Sequence, residues 1–536
     1  MTAQTTLDKV PPGPDPLPPK AKGLRGHPWL TLFAVAIGVM MVALDGTIVA
    51  IANPAIQHDL KASLADVQWI TNGYLLALAV ALITAGKLGD RFGHRQTFLI
   101  GIAGFAASSA AIGFSKEIGL VIAFRVLQGL FGALLMPAAL GLLRATFPAE
   151  KLNMAIGIWG MVIGASTAGG PIVGGLLVEH VSWQSVFFIN VPVGVLALAF
   201  GLVVLRDHRA ANAPRSFDIP GILLLSGAMG ALVYGLIKAG ESWGWGGTNT
   251  WLCVGGSVVL FVIFAVWETK AKEPLIPLGM FRSVPLSAGV VLMVLMAFAF
   301  MGGLFFVTFY LQGVHGLSPV DSGLHLLPLT GMMIVASPLA GVLITKFGPR
   351  VPLVGGMVCT ATAMFGMSQL DAGTGTLTMS VWFGLLGLGL APVMVGATEV
   401  IVGNAPLELS GVAGGLQQAG MQVGGALGTA VLGAVMSSRV NAEFAGNWKD
   451  AGIPTPPPPA LEQAAEFGMV PRELADAPKM TPEGFKAISG VIHDTFVSGM
   501  GFAFTVAGCV AVVAALVAFF TKRGENADAA GGGVHI

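Results

Sequence analysis

The sequence predicts an all-α polytopic membrane protein, with two six-helix bundles and two extra linking transmembrane helices. Three observations lead there. Apolar residues make up 54% of the 536-residue chain and charged residues only 10%, whereas a soluble domain is about a quarter charged. Apolar runs of spanning length, about 20 residues each, recur from Trp29 to Phe520. A short Gly- and Arg-bearing turn appears after the second run and again after the tenth, so the two halves of the chain are related.

Fourteen runs are expected, over 29–53, 67–86, 97–114, 118–146, 154–178, 185–205, 218–238, 250–268, 285–312, 321–345, 351–370, 377–403, 411–437 and 493–520. The repeated turn is Gly86-Lys-Leu-Gly-Asp90-Arg-Phe-Gly93-His-Arg95, matched by Gly341-Val-Leu-Ile-Thr345-Lys-Phe-Gly348-Pro-Arg350. The two copies fall in register if spans seven and eight are an insertion. The expected organisation is therefore a disordered tail 1–28, an N-terminal bundle 29–205, two linking helices within 206–284, a C-terminal bundle 285–520 and a tail 521–536. Loop 438–490, rich in Pro and Ala, is expected as a partly ordered outer cap or a plain spacer.

Orientation follows from Lys and Arg, which concentrate in short cytoplasmic segments. With the N-terminus inside, the inner segments carry Lys87, Arg91 and Arg95, then Arg144 and Lys151, then Lys346 and Arg350, among others. The short outer loops carry only Lys61, Lys116 and Lys238. Both termini are expected in the cytoplasm, and the protein is expected as a multi-pass component of the cytoplasmic membrane.

Other function classes lose support. Lys+Arg and Asp+Glu balance at 28 each, so net charge offers nothing to nucleic acid. Cys253, Cys359 and Cys509 are far apart in apolar runs, and the histidines lack ligand spacing, so no metal site is expected. Ala85-Gly86-Lys87-Leu88 lacks the earlier glycine and the Ser/Thr of a phosphate loop. No nucleophile motif marks an embedded enzyme, so the chain is expected to be no enzyme and to hold no cofactor.

Ionisable residues inside spans are costly, by at least about 2.5–3.5 kcal/mol for an Arg at a helix centre. Arg125 sits in the middle of span four, and Gln128 shares its face one turn on. Arg125 keeps its proton, so it acts on a neighbouring carboxylate and ordered water, or else holds backbone carbonyls structurally. Asp45, in the outer half of span one, is the principal proton-carrier candidate. Permanent pairing, or capping beside Thr47, is its bland alternative. Glu399, near the inner end of span twelve, reads as a second proton site, a contact for a cationic substrate or a solvated interfacial acid. Gln68, Asn72 and Tyr74 on span two, Gln312 after span nine, and Gln418 and Gln422 on span thirteen are candidate cavity residues without assigned contacts.

Four patterns occur in order: Leu44-Asp45-Gly-Thr47-Ile-Val closing on Pro54, Gly86 to Arg95, Arg125-Val-Leu-Gln128-Gly129, and Gly170-Pro171-Ile-Val-Gly174-Gly175. Together they resemble the fourteen-helix drug:proton antiporters of the major facilitator superfamily. The resemblance implies that Gly86, Asp90, Arg91, Gly93 and Arg95 form a conformational latch, with Asp90 and Arg91 as its charged members. His94 stands where the family usually has a permanent cation, and Thr345 replaces the acid in the second copy. It also implicates Arg125 in proton transfer and makes Gly170, Pro171, Gly174 and Gly175 the mark of an exporter, with Ser166 where another glycine is usual. The expected function is proton-coupled efflux of drugs, antibiotics or other amphipathic small molecules by alternating access. The alternative is a proton-coupled importer of a small metabolite. The expected partners are a small-molecule substrate, protons and lipid, with no nucleic acid, and the chain is expected to be a monomer driven by the proton gradient.

Overall fold

Proline and short polar caps punctuate a chain that is otherwise nearly continuous helix. The computed structural model describes residues 24–206, 218–405, 410–453, 456–471, 474 and 481–523, and these contain helices and no strand. The expected tails lie almost wholly outside the described residues. In chain order the helices are α1 (Pro28–Leu60), α2 (Leu64–Phe92), α3 (His94–Phe114), α4 (Ile118–Thr146), α5 (Ala149–His180), α6 (Ser185–Phe188), α7 (Asn190–Val204), α8 (Ile219–Lys238) and α9 (Thr248–Lys270). Then come α10 (Val284–Phe309), α11 (Pro319–His325), α12 (Leu327–Phe347), α13 (Arg350–Met367), α14 (Thr376–Gly403), α15 (Ser410–Asp450), α16 (Pro459–Phe467) and α17 (Pro482–Ala518).

The caps explain the boundaries. Ser63 and Asp66 form a reciprocal capping box that starts α2, satisfying donors the first turn leaves open. Ser283 caps α10 and Thr481 caps α17 more simply, each side chain accepting one backbone N–H of the first turn. The two copies of the repeated turn end alike: Gly93 at φ 98° closes α2, and Gly348 at φ 76° closes α12, a backbone region glycine enters without a Cβ clash.

Thirteen helical stretches among the described residues are long and apolar enough to cross a membrane. The fourteenth expected span is α2, a 29-residue helix in the right place, some of whose side chains lie outside the described residues. Helices α1 to α7 pack as one group, through α1 on α5, α2 and α3 on α4, and α3 on α7. Helices α10 to α17 pack as another, through α10 on α15, α12 and α13 on α14, and α13 on α17. Helices α8 and α9 form a hairpin whose α8 touches both α2 and α15. Trp251, Leu252, Val258 and Val262 leave α9 exposed along its length, as a lipid-facing helix requires.

The sixth span runs as one helical stretch from Ser185 to Val204, with Ile189 in helical conformation between α6 and α7. One expectation needs correction. Loop 438–490 is mostly helix: α15 continues to Asp450, α17 begins at Pro482, and α16 lies between them. The prolines that read as a spacer instead seed α16, with Pro459 in its first turn, where a missing N–H is harmless. Phe467 is 2% exposed and stacks on Phe309 at 5.3 Å, while Ser437 is hydrogen-bonded to Glu466. This makes the described part of 438–490 a packed cap on the C-terminal group.

The two groups meet at the outer end, the side that the charge bias assigns to the exterior. Gln312 Nε2 donates to the Ile51 carbonyl at 3.1 Å, and the Val320 amide donates to Glu179 at 3.0 Å. A Cβ at Gly175 would lie 2.5 Å from the Pro319 carbonyl, and one at Gly323 would lie 2.6 Å from that of Pro171. Toward the other end, Gly414 and Gly415 of α15 have nothing within 4 Å of a Cβ position. The outer side is therefore closed by backbone-to-backbone approach that only glycine permits. Gly175→Val should wedge it open. In a background free of the native cysteines, labelling of Val320→Cys by an impermeant maleimide added outside should rise about tenfold, the population shift expected for ~1.4 kcal/mol of added repulsion. Unchanged labelling would show that this contact does not hold the outer side shut.

Candidate functional site

Burial forces polar side chains to find one another, and in the N-terminal group they converge on Asp45. The carboxylate is 0% exposed, and Arg125 of α4 is 2% exposed. Arg125 Nη1 donates to Asp45 Oδ2 at 2.5 Å and to Gln128 Oε1 at 2.7 Å. Gln128 Nε2 donates to Asp45 Oδ1 at 3.0 Å, and Asn190 Nδ2 of α7 donates to the same oxygen at 3.2 Å. Ser109 of α3 closes the network: its Oγ accepts from Gln128 at 3.2 Å and Asn190 at 3.0 Å and donates to the Phe187 carbonyl at 2.8 Å.

The guanidinium is fixed on its other sides too. Arg125 Nε donates to the Ile70 carbonyl of α2 at 3.1 Å, and the Tyr74 ring lies 4.0 Å below its carbon. Cation–π contact with a desolvated Arg is worth roughly 2 kcal/mol. The two bland readings of Arg125 and Asp45, carbonyl binding and pairing, are thus both present in the geometry. Removing one partner of such a pair costs about 3–5 kcal/mol, because the other charge is left buried.

The expected site residues divide accordingly. Asp45, Arg125 and Gln128 come together. Asn190 and Ser109 belong with them and were missed as site residues. Neither carried a signal beyond being a neutral polar residue in an apolar span. Tyr74 faces Arg125 rather than a cavity, and Gln312 is tied into the outer closure. Glu399 stands apart, half-buried near the inner end of α14, with Arg523 as its opposing charge.

The exporter pattern is built into the seam between α1 and α5. Thr47 Oγ1 donates to the Thr167 carbonyl at 3.1 Å, and Gly170 leaves the room that Thr47 occupies. Gly174 lies against Ile48, with a Cβ position 2.9 Å from its side chain. Ser166, the departure from the pattern, bonds to the Val162 carbonyl of its own helix at 2.7 Å. Pro171 and Gly175 reach past this seam to the outer closure. So one stretch of α5 touches both the helix carrying Asp45 and the opposing half.

The repeated motif begins within the last turns of α2, which runs to Phe92, and there the side chain of Asp90 lies outside the described residues. Gly93 sets the turn, and Arg95 Nη2 donates to the Leu202 carbonyl at 3.1 Å, tying the loop to the end of α7. Arg91 lies over the Phe92 ring at 5.4 Å. His94 packs beside Gly89 of α2 and Gly141 of α4, a close fit that a longer basic side chain would disturb. Gly86 faces Pro137 of α4 at 3.9 Å. In the second copy Thr345 bonds to the Gly341 carbonyl of its own helix at 2.8 Å. No metal-binding cluster of His, Cys, Asp or Glu occurs among the described residues.

Comparison with known proteins places this geometry. Residues 35–429 match the model of the Major Facilitator Superfamily. The tetracenomycin C resistance and export protein of Streptomyces glaucescens is 66% identical over 510 residues, covering 94% of both chains. The multidrug efflux pump LfrA of Mycolicibacterium smegmatis is 32% identical, over 76% of this chain and 81% of its own. A bacterial homologue of the human lysosomal transporter Spinster, solved in an inward-facing, unoccupied conformation, has a TM-score of 0.61 over 94% of this chain and 100% of its own, at 17% identity. That last likeness concerns the fold; the first concerns the sequence nearly end to end, and the second about three quarters of this chain. The chain belongs to the major facilitator superfamily, a family of membrane transporters rather than of enzymes.

Proposed function

We propose that this chain is a proton-driven efflux transporter that expels an antibiotic-class small molecule by alternating access, with Asp45 as the proton-exchanging group. The observation that carries the reading is the buried carboxylate held by Arg125, Gln128 and Asn190 beside a closed outer seam. Export is supported by the relatives, one of them 66% identical and named for tetracenomycin C resistance and export. The antibiotic class of the substrate is inferred from that same relative.

The chemistry is one of competing partners. With Asp45 ionised, Arg125 and the amides of Gln128 and Asn190 grip α1 against α4 and α7. When Asp45 takes a proton, the charge attraction disappears, one oxygen becomes a donor, and α1 is freed to move against α5. Because Thr47 and Ile48 sit in the glycine surface of α5, a shift of α1 is passed to Gly175 and the outer closure. Arg125 keeps its charge throughout and recaptures the carboxylate when the proton leaves. Asp90 and Arg91 act at the opposite end, holding the two halves together when the outer side is open. One proton falling through about 100 mV releases ~2.3 kcal/mol, enough for a gradient of roughly fifty-fold in a neutral substrate.

In proteoliposomes with an imposed pH gradient, Asp45→Asn should abolish uphill accumulation while leaving downhill exchange within about threefold of the parent, since only the proton-linked step is lost. Uphill transport equal to the parent's would remove the proton role from Asp45. Asp90→Asn should lower the transport rate about tenfold, the loss of one charge-assisted contact of ~1.4 kcal/mol. An unchanged rate would remove the latch. Expressed in a pump-deficient host, the parent should lower cellular accumulation of its substrate, whereas an importer would raise it.

A further inference from the structure

Helix α2 is a wall with two faces. Ile70 and Tyr74, one turn apart, meet Arg125. Gln68, Asn72 and Leu75 lie on the opposite face by helical geometry. Two of these three meet the glycine face of α15 in the other half: Gln68 occupies the space left by Gly433, and Leu75 lies 3.2 Å from the Cβ position of Gly425. Asn72 stands between them, at the level of Thr429. Its side chain is 0% exposed, and neither its Oδ1 nor its Nδ2 has a hydrogen-bond partner in the protein. Gln68, 2% exposed, likewise leaves its Oε1 without one. The Thr429 hydroxyl gives its one proton to the Gly425 carbonyl at 3.0 Å, so it has none to donate to a carboxamide oxygen.

A buried amide with no partner is expensive to keep, and a close-packed seam between glycines has no packing need for one. The same face of α15 continues inward. Gln418, Gln422, Gly425, Thr429 and Gly433 recur at helical spacing, and Gln418 and Gln422 are only half-buried, near the open stretch of Gly414 and Gly415. A row of carboxamides therefore runs from the open inner side up to the closed seam, with Leu75 and Met301 closing around Gly425. On this face, from Gly414 to Gly433 and from Gln68 to Leu75, no residue is ionisable. The N-terminal group's buried carboxylate, Asp45, is bound on the far side of α2.

We propose that Asn72, with Gln68 and Gln422, forms the recognition subsite for a neutral substrate that carries hydroxyl and carbonyl groups on an apolar body, and that organic cations are poor substrates. This rests on the export reading above and narrows its substrate class. A carboxamide presents one donor group and one acceptor, so a molecule with adjacent hydroxyl and carbonyl groups satisfies both atoms at once. A cation gains little there: the carboxamide row supplies no counter-charge to offset its lost hydration, and Glu466, which lines the pocket beside Gln68 and Gly433, is engaged by the Ser437 hydroxyl.

The test is proton-driven uptake into everted membrane vesicles, with a neutral dihydroxyanthraquinone and with ethidium as probes. The parent should carry the quinone and prefer it to ethidium. Asn72→Ala should raise the half-saturating quinone concentration about tenfold, with the maximal rate within about twofold, as expected when a ground-state hydrogen-bonding contact is lost. Asn72→Asp should gain ethidium transport, an outcome misfolding cannot produce. A half-saturating concentration in Asn72→Ala equal to the parent's, a fall in its maximal rate alone, or no gain of ethidium in Asn72→Asp would overturn the proposal. A parent that carries ethidium as well as the quinone would overturn it too, while leaving export standing. A parent that carries neither probe would overturn it as stated, and if it also failed to lower antibiotic accumulation in cells, the export reading would fall with it.

Discussion

The ion pair between Asp45 and Arg125 is the interaction on which the N-terminal half depends. Neither charge is tolerable alone at that depth, so each helix that approaches them contributes something: α2 a carbonyl and an aromatic face, α3 a hydroxyl, α4 the arginine and its amide, α7 a second amide. The cluster therefore ties together helices that apolar packing alone would leave free to slide, in a solvent that gives helices no hydrophobic reason to associate. The group proposed to exchange the proton is thus also one of those that hold this half together.

Around that pair, small residues decide what moves. Glycines of α5 bring Thr47 and Ile48 into contact with one side of the helix, while Gly175 and Gly323 bring backbone against backbone across the outer seam. Glycines of α15 do the same against α2 and α10. Contacts of this kind are stiff in compression and weak in tension: they hold helices at short range by dispersion alone and can part without breaking strong bonds. A transporter needs interfaces that close tightly and reopen, and at its outer seam this chain, an efflux transporter of the major facilitator superfamily, builds one with glycine. The packed outer cap of α16, with Phe467 set into the C-terminal group, adds a rigid rim to one side of the opening.

Much of this was legible in the chain. Hydropathy reported the spans because lipid imposes one length and one composition on them, and Asp45 and Arg125 were conspicuous because charges are rare there. Asn190 and Ser109 were not, since a neutral polar residue in a span is too common to single out until its neighbours are known. Tyr74 and Asn72 show the same limit from another direction. Only two residues apart on α2, they read alike as polar candidates, yet one faces Arg125 and the other the opposing half. The period of a helix gives their separation in angle but not which side faces in. The cap at 459–467 was hidden for a different reason: proline reads as a break in a membrane span, but at the first turn of a short exposed helix it is a start.

The proposal that Asp45 is the proton-exchanging group coupled to substrate binding can be tested without transport. Purified protein in weakly buffered detergent solution, titrated with a substrate found by resistance profiling, should release protons as the substrate binds, and Asp45→Asn should bind without releasing any. Equal proton release from the parent and from Asp45→Asn would contradict the account, because the exchanging group would then lie elsewhere.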